Sequence, residues 1–205
     1  VHMYAKCGAL ATAQEVFDNI SFPDLVAWNT LLGGYVQHGY AKEVLHCFQQ
    51  MQLCSISPNA TSFICCLKAC GSGRIAFKGK QAHAITSTWP IGTDVTSCST
   101  LVNMYAKCGH FREAQEMLDQ LSVKDLVSWT MLIAGYAENG HGEEALTCFG
   151  QMQQEGILPD VVSFICTLKA CTIIESLGKG KKIHCQVKID GLLEKEIGVG
   201  NTLVD

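Results

Sequence analysis

The sequence predicts an all-α fold, a solenoid of stacked helix-turn-helix repeats. The first observation is a long-range repeat: residues 102–109 restate residues 1–8 about 101 positions downstream, and roughly 40 of the first 88 positions match at this offset. The second is apolar spacing at i, i+3, i+4 and i+7, which is typical of amphipathic helices. The third is the Gly and Pro residues that follow each apolar stripe and favour its end.

Each long unit contains three kinds of helix pair, which we name short, standard and long. The predicted repeats are 1–24 (partial short), 25–59 (standard), 60–94 (long), 95–125 (short), 126–160 (standard), 161–196 (long) and 197–205 (start of a short repeat). A helix pair of this size cannot bury its apolar faces alone. We therefore expect all of them to form one continuous stack.

The standard repeat at 126–160 illustrates the pattern of two helices. One apolar stripe runs from Trp129 to Tyr136, and the following Gly140 is expected to end the helix because glycine tolerates the left-handed cap conformation. A second stripe runs from Ala145 to Met152. We interpret the large apolar side chains of these stripes as packing residues of the core and not as a cofactor site.

Composition and charge restrict the classes of function. The hydrophobic fraction is 48%, but no apolar run approaches the roughly 18 residues that a membrane helix needs. A net charge of −4 argues against indiscriminate binding of phosphate. Both ends of the chain fall within predicted helix pairs, so we expect a piece of a longer array. Any targeting segment or catalytic domain would then lie outside it.

The twelve cysteines and the other chemical motifs predict no metal, disulfide or catalytic site. Many cysteines occupy equivalent positions in the two long units, and no C-x-x-C pair is present. We expect free, buried thiols in a reducing compartment. The triplet at 141–143 has the H-x-E form of a zinc deaminase but lacks the P-C-x-x-C that this chemistry requires. No cofactor is expected.

Four motifs carry a resemblance to a known family. They are Met-Tyr-Ala-Lys-Cys-Gly, Asp-Leu-Val-Ser-Trp, Pro-Asp followed by Ser-Phe, and Gly-Lys-x-x-His. With these motifs the chain resembles plant pentatricopeptide repeat (PPR) proteins over essentially its whole length. The rotation of short, standard and long repeats resembles their PLS subclass. The resemblance implies two antiparallel helices per repeat and a right-handed superhelix that binds single-stranded RNA.

The resemblance also implies that each repeat reads one base, mainly through its fifth and its last residue, which we call the reading pair. Reading pairs are thereby assigned as Asn29 with Asn59, Ser99 with Asp125, and Thr130 with Asp160, and Asn201 would begin a further pair. In the family, Asn with Asn favours a pyrimidine, mostly C, and Ser or Thr with Asp favours G. The second residues of three repeats would sandwich the bases: Val26, Val127 and Val162.

The long repeats depart from this pattern. They place Ile64 with Asp94 and Ile165 with Glu196 where a reading pair should stand. An aliphatic side chain offers no hydrogen bond to a base edge. We therefore expect packing or contact with organellar editing-factor proteins at these positions. With the array running amino to carboxyl along RNA 5′ to 3′, the expected order is pyrimidine, any base, G, G and an unread position.

The predicted function is sequence-specific binding of single-stranded RNA, without catalysis in this chain and without a membrane partner. The resemblance implies a mitochondrial or chloroplast location and a role in guiding organellar RNA processing such as C-to-U editing. The alternative is a protein–protein scaffold of tetratricopeptide type, whose repeats keep a constant length of about 34 residues. The unequal repeat lengths and the recurring polar fifth residues argue against it.

Overall fold

The structure, a computed structural model, describes residues 1–75, 79–81, 95–121 and 124–189, and these residues form helices and turns without any strand. Two compact units divide the chain, Val1–Met104 and Tyr105–Asp205. Within the described part of the chain, no helix is long and apolar enough to cross a membrane.

The first unit is built from short helices in pairs. Its helices are α1 (His2–Lys6), α2 (Leu10–Asp18), α3 (Leu25–Gln37), α4 (Ala41–Leu53) and α5 (Ala60–Ser72), followed by α6 (Val95–Lys107), which runs into the second unit. α3 packs against α1, α2, α4 and α5. The first helices of successive repeats therefore lie side by side, and each second helix also contacts the first helix of the next repeat.

The second unit repeats this arrangement. Its helices are α7 (Phe111–Asp119), α8 (Leu126–Glu138), α9 (Gly142–Gln154), α10 (Val161–Ile173) and α11 (Leu177–Ile189). α8 packs against α7, α9 and α10, and α11 packs against α10. The predicted end of the first helix of the standard repeat is confirmed. α8 ends at Glu138, and Gly140 follows with φ +85°, a conformation that costs glycine little.

Equivalent aromatic pairs hold the helices of each unit together. Phe48 and Phe63 meet edge to face with ring centroids 5.4 Å apart in the first unit. In the second, the equivalent Phe149 and Phe164 lie 5.6 Å apart. All four side chains are buried. Such pairs stabilise packing beyond the burial of their apolar area, so the long-range repeat in the sequence reproduces the same core contact twice.

The twelve cysteines, all within the described residues, form no disulfide bond, and three of them are exposed although buried thiols were expected: Cys7, Cys54 and Cys185. Burial raises the pKa of the Cys47 thiol to about 11, with smaller contributions from the nearby Asp18 and Glu43 carboxylates. The pKa of Cys148 is raised to about 12, again mainly by burial, with Glu144 adding to the effect. These two equivalent thiols therefore pack as neutral apolar groups.

We expect the free energy of unfolding to fall as pH rises above about 9, because both thiols ionise more easily in the unfolded chain. A raised folded-state pKa gives stability that is complete below the unfolded value of 9.0 and is lost towards the folded values of about 11 and 12. Urea unfolding of the chain and of Cys148→Ala between about pH 8 and pH 11 measures this. Equal pH slopes for the two proteins would contradict the assignment to Cys148.

Candidate nucleic-acid interface

Helix α3 has one face buried in the core and one face at the surface. Trp28 and Leu31 are buried in the core, whereas Val26, at 70% exposure, and the half-buried Asn29 lie on the other side. Helical spacing of three residues explains why Val26 and Asn29 share a face. The second and fifth residues of this repeat thus stand together at the surface.

A groove of about 430 Å³ opens beside this face in the first unit. Its lining includes Val26, Asn29, Gly33 and Thr61, together with the exposed Lys6 of α1. An apolar side chain, an amide and a cation in one groove match the three parts of a nucleotide: the base face, the base edge and the phosphate. Sequence reasoning had not singled out Lys6, although it lies in the recurring Tyr-Ala-Lys-Cys-Gly motif.

Where the structure describes it, the last residue of a predicted repeat also caps the first helix of the next repeat. Its side-chain oxygen accepts a hydrogen bond from the backbone N–H three residues on, in Asp24, Asn59, Asp125 and Asp160. Such caps satisfy an otherwise unpaired N–H and stabilise a helix by about 1 kcal/mol. The side chain of the last residue of a predicted reading pair is therefore held in place by its hydrogen bond to the backbone of the helix that it caps.

The structure brings the first predicted reading pair together. Asn29 Nδ2 donates to Asn59 Oδ1 at 3.1 Å. Asn59 in turn forms a reciprocal capping box with Ser62, in which Asn59 N donates to Ser62 Oγ at 3.2 Å and Ser62 N donates to Asn59 Oδ1 at 3.1 Å. Ser62 was missed by sequence reasoning. The spacing of Asn or Asp three residues before Ser is a recognisable capping signal.

The third predicted pair, Thr130 with Asp160, is arranged differently. Asp160 caps α10 by accepting from Ser163 N at 2.8 Å. Thr130 is 9% exposed. Within the described residues, the hydroxyl of Thr130 has no hydrogen-bond partner and is therefore not bonded to Asp160. A buried hydroxyl without a partner loses free energy relative to one in water. The Thr130 hydroxyl thus has its donor and acceptor capacity unused among the described residues.

The remaining predicted residues are placed as follows. Ser99 is buried on α6, and Asp125 caps α8 by accepting from Ser128 N at 2.8 Å. The predicted base-sandwiching residues Val127 and Val162 are 51% and 52% exposed. The aliphatic fifth residues of the long repeats are both half-buried: Ile64 and Ile165. Three predicted residues lie outside the described residues: Asp94, Glu196 and Asn201.

A larger cavity, of about 600 Å³, lies elsewhere in the second unit, beside α7, α8 and α9. Its lining includes Asp119, Glu144 and Glu155, and its cation Lys124 pairs with Asp119 at 3.2 Å and with Glu155 at 3.1 Å. Carboxylates outnumber the single neutralised cation, so this surface repels a phosphate backbone. Its size therefore does not make it the better candidate for a nucleic acid.

The described residues also contain no cluster of three or more His, Cys, Asp or Glu side chains able to hold a metal ion. The His141-Gly142-Glu143 triplet lies at the start of α9, where His141 is the N-cap and Glu143 stands in the first turn. A carboxylate at a helix amino terminus interacts favourably with the helix dipole. Local helix stability accounts for this motif.

Comparison with known families gives two matching models. A model described as "PPR repeat family" matches residues 23–72 and 124–172, and one described as "PPR repeat" matches residues 96–126. Together these matches cover more than half of the chain. They do not favour the tetratricopeptide alternative.

Two curated relatives from Arabidopsis thaliana align along nearly the whole chain. A chloroplastic pentatricopeptide repeat-containing protein is 36% identical over 202 residues, which is 98% of this chain and 33% of that protein. A mitochondrial one is 35% identical over 204 residues, 100% of this chain and 20% of that protein. The chain thus spans about a third or less of the length of these relatives.

Solved structures agree with the family models. The pentatricopeptide repeat protein PPR10 from maize superposes with a TM-score of 0.76 at 21% identity, over 93% of this chain and 28% of that chain. PPR10 in complex with an 18-nt psaJ RNA element gives a TM-score of 0.81 at 22% identity, over 92% and 29% of the two chains. These likenesses confirm the predicted all-α solenoid fold, and the family models show that the chain belongs to the PPR repeat family.

Proposed function

We propose that this chain binds single-stranded RNA with sequence preference, reading one base per repeat through its reading pairs. The observation that carries the proposal is the contact between Asn29 and Asn59 beside the exposed Val26. Residues that are far apart in sequence form one polar patch at the edge of a groove that has an apolar wall. The PPR10 complex with an RNA element, a structural neighbour, supports the same class of ligand.

The hydrogen-bonding groups of the two best-described pairs match different bases. Asn59 Oδ1 is occupied by backbone and side-chain donors, so the pair offers mainly N–H groups. Cytosine presents two adjacent acceptors, O2 and N3, on its Watson–Crick edge and suits such a pair. Asp160 offers a carboxylate, which only accepts. Guanine presents two adjacent donors, N1–H and N2–H, and therefore suits Thr130 with Asp160.

We further propose that the protein belongs to the PLS subclass and guides organellar RNA processing such as C-to-U editing. Relatives named as chloroplastic or mitochondrial support an organellar location. In this proposal the long repeats, with Ile64 and Ile165 in place of reading residues, contact editing-factor proteins. Catalysis is assigned to a partner or domain other than the described residues, which hold no metal-binding cluster.

Replacing Thr130 with Asn should move the base preference of its repeat from G towards U, because an amide replaces the hydroxyl while Asp160 is retained. We expect a change in discrimination of about 1–3 kcal/mol. The measurement is binding of the complete protein to four RNAs that differ only at the base facing this repeat. Salt concentration is held constant because phosphate contacts depend on it.

The matched control is Thr147→Asn, the same chemical change on the exposed face of α9. It should leave all four affinities unchanged. If Thr130→Asn weakened binding equally for every base, Thr130 would support structure and not recognition. If it changed nothing while the complete protein still preferred one base at this position, the path assumed for the RNA would be wrong.

A further inference from the structure

Three residues from two successive repeats form one hydrogen-bonded network in the first unit. Asn29 Nδ2 donates to Asn59 Oδ1 at 3.1 Å, and Ser62 Oγ donates to Asn29 Oδ1 at 2.6 Å. Ser62 Oγ also lies 3.1 Å from Asn59 Oδ1. Ser62 is fully buried. It belongs to the repeat that follows the one containing Asn29 and Asn59. It therefore contacts both members of a reading pair that is not its own.

The network allows only one orientation for each amide. Ser62 N is a backbone donor and lies 3.1 Å from Asn59, so the Asn59 atom that faces it must be the oxygen. The Asn29 atom next to that oxygen must then be the NH₂ group. This turns Asn29 Oδ1 towards Ser62 Oγ, whose single proton completes the arrangement. The backbone of α5 thus determines the orientation of both side chains through Ser62.

Fixing the two amides decides what a base encounters. Asn59 Oδ1 already accepts from Asn29 Nδ2 and from Ser62, and Asn29 Oδ1 accepts from Ser62 Oγ. Among the described residues, the Nδ2 group of Asn59 has no partner, and Asn29 Nδ2 keeps one hydrogen. The unoccupied groups are mostly donors. A reversed Asn29 amide would instead present an oxygen, which would accept from the N3–H of uracil.

We propose that Ser62 is a positioning residue that makes the Asn29/Asn59 pair discriminate cytosine from uracil. The proposal rests on the proposed function, since it concerns the same reading pair. Ser62 does not touch the base; its hydroxyl supplies the second of the two bonds that hold the Asn29 amide in its orientation. The selectivity of one repeat therefore depends on the third residue of the next repeat.

The second copy of the 101-residue repeat supplies a matched comparison for Ser62. Ser163 stands at the equivalent of Ser62 and forms the same capping box, with Asp160 N donating to Ser163 Oγ at 2.8 Å. Its hydroxyl donates to the Asp160 carbonyl oxygen at 2.8 Å and not to the reading residue Thr130. Ser163→Ala therefore removes the same capping bond as Ser62→Ala without removing a bond to a fifth residue.

The test compares Ser62→Ala with Ser163→Ala in the complete protein. Binding is measured to RNAs that carry each of the four bases opposite the Asn29/Asn59 repeat, and likewise opposite the Thr130/Asp160 repeat. Without the hydroxyl, only the bond to Asn59 Oδ1 holds the Asn29 amide, so its reversed orientation becomes more populated and the C-to-U affinity ratio should fall about fivefold in Ser62→Ala. Ser163→Ala should leave the preferences at both positions unchanged, and both variants should lose similar thermal stability.

The outcomes separate this inference from the function on which it rests. An unchanged C-to-U ratio in Ser62→Ala, or an equal loss of affinity for all four bases, would overturn the role of Ser62. So would the same loss of ratio in Ser163→Ala. A parent protein without base preference opposite this repeat, and with no response to Asn29→Ala, would overturn the reading function itself.

Discussion

Trp129→Ala should lower the free energy of unfolding by about 3–5 kcal/mol, as expected for a large aromatic side chain removed from a core. The indole is 1% exposed, and its Nε1 donates to Glu155 Oε2 at 3.3 Å. The ammonium group of Lys124 lies 5.4 Å from the ring centroid. Urea unfolding followed by circular dichroism measures the loss. A loss below about 1 kcal/mol would mean that the site relaxes to fill the cavity.

A pair of Trp→Phe variants separates packing from hydrogen bonding. Phe retains most of the apolar area but has no N–H group. Trp129→Phe gives up the bond to Glu155, whereas Nε1 of the equivalent Trp28 has no partner among the described residues. We expect Trp129→Phe to destabilise more than Trp28→Phe by about 1 kcal/mol. The opposite order would show that the Glu155 contact does not contribute.

Replacing either of two adjacent glycines on α3 with alanine should change the stability in opposite directions. At Gly34, an added Cβ would lie 2.7 Å from the Cβ of Ala5 on α1, so Gly34→Ala should destabilise by about 1–3 kcal/mol. At Gly33, nothing lies within 4 Å of such an atom, and alanine should stabilise the helix by about 0.5–1 kcal/mol. Thermal and urea unfolding of the two variants provide the comparison.

The second unit is consistent with this difference, because it has Ala134 at the position of Gly33 but keeps Gly135 at that of Gly34. A Cβ at Gly135 would clash with Ala106. If Gly33→Ala also lowered the free energy of unfolding, the space around Gly33 on α3 would be more crowded than the structure shows. If Gly34→Ala were neutral, α1 would have to move away without cost.

Much of the local structure follows from the sequence alone. Apolar spacing and the glycines behind each stripe determine helices such as α8 and α9 because each helix must bury one face and end where a left-handed residue is tolerated. The second and fifth residues fall on the opposite face for the same geometric reason. Val26 and Asn29 were therefore identifiable as surface residues before any contact between helices was known.

The partners of those residues did not follow from the sequence. In the sequence, Ser62 is one of several serines near the start of a predicted helix. Its bond to Asn29 depends on how closely α3 and α5 approach. The equivalent Ser163 has the same local sequence role but forms its bond elsewhere. A side-chain hydroxyl donates its proton to an acceptor that lies within about 3 Å. The acceptor within reach depends on the residue that the neighbouring helix places there, the Asn29 amide in the first unit and the Thr130 hydroxyl in the second.

Two differences between the copies of the 101-residue repeat also separate what the sequence determines from what the fold determines. Along the chain, Ala41 becomes Gly142 and Gly73 becomes Ile174, with nothing to connect the two changes. In the fold they are neighbours: a Cβ on Gly73 would meet the Ala41 Cβ at 3.1 Å, and one on Gly142 would meet Ile174 Cγ2 at 2.6 Å. The period and polarity of the sequence determine which helices form and which faces they bury. Close packing, which leaves room for only one side chain at such a contact, is decided by the tertiary structure.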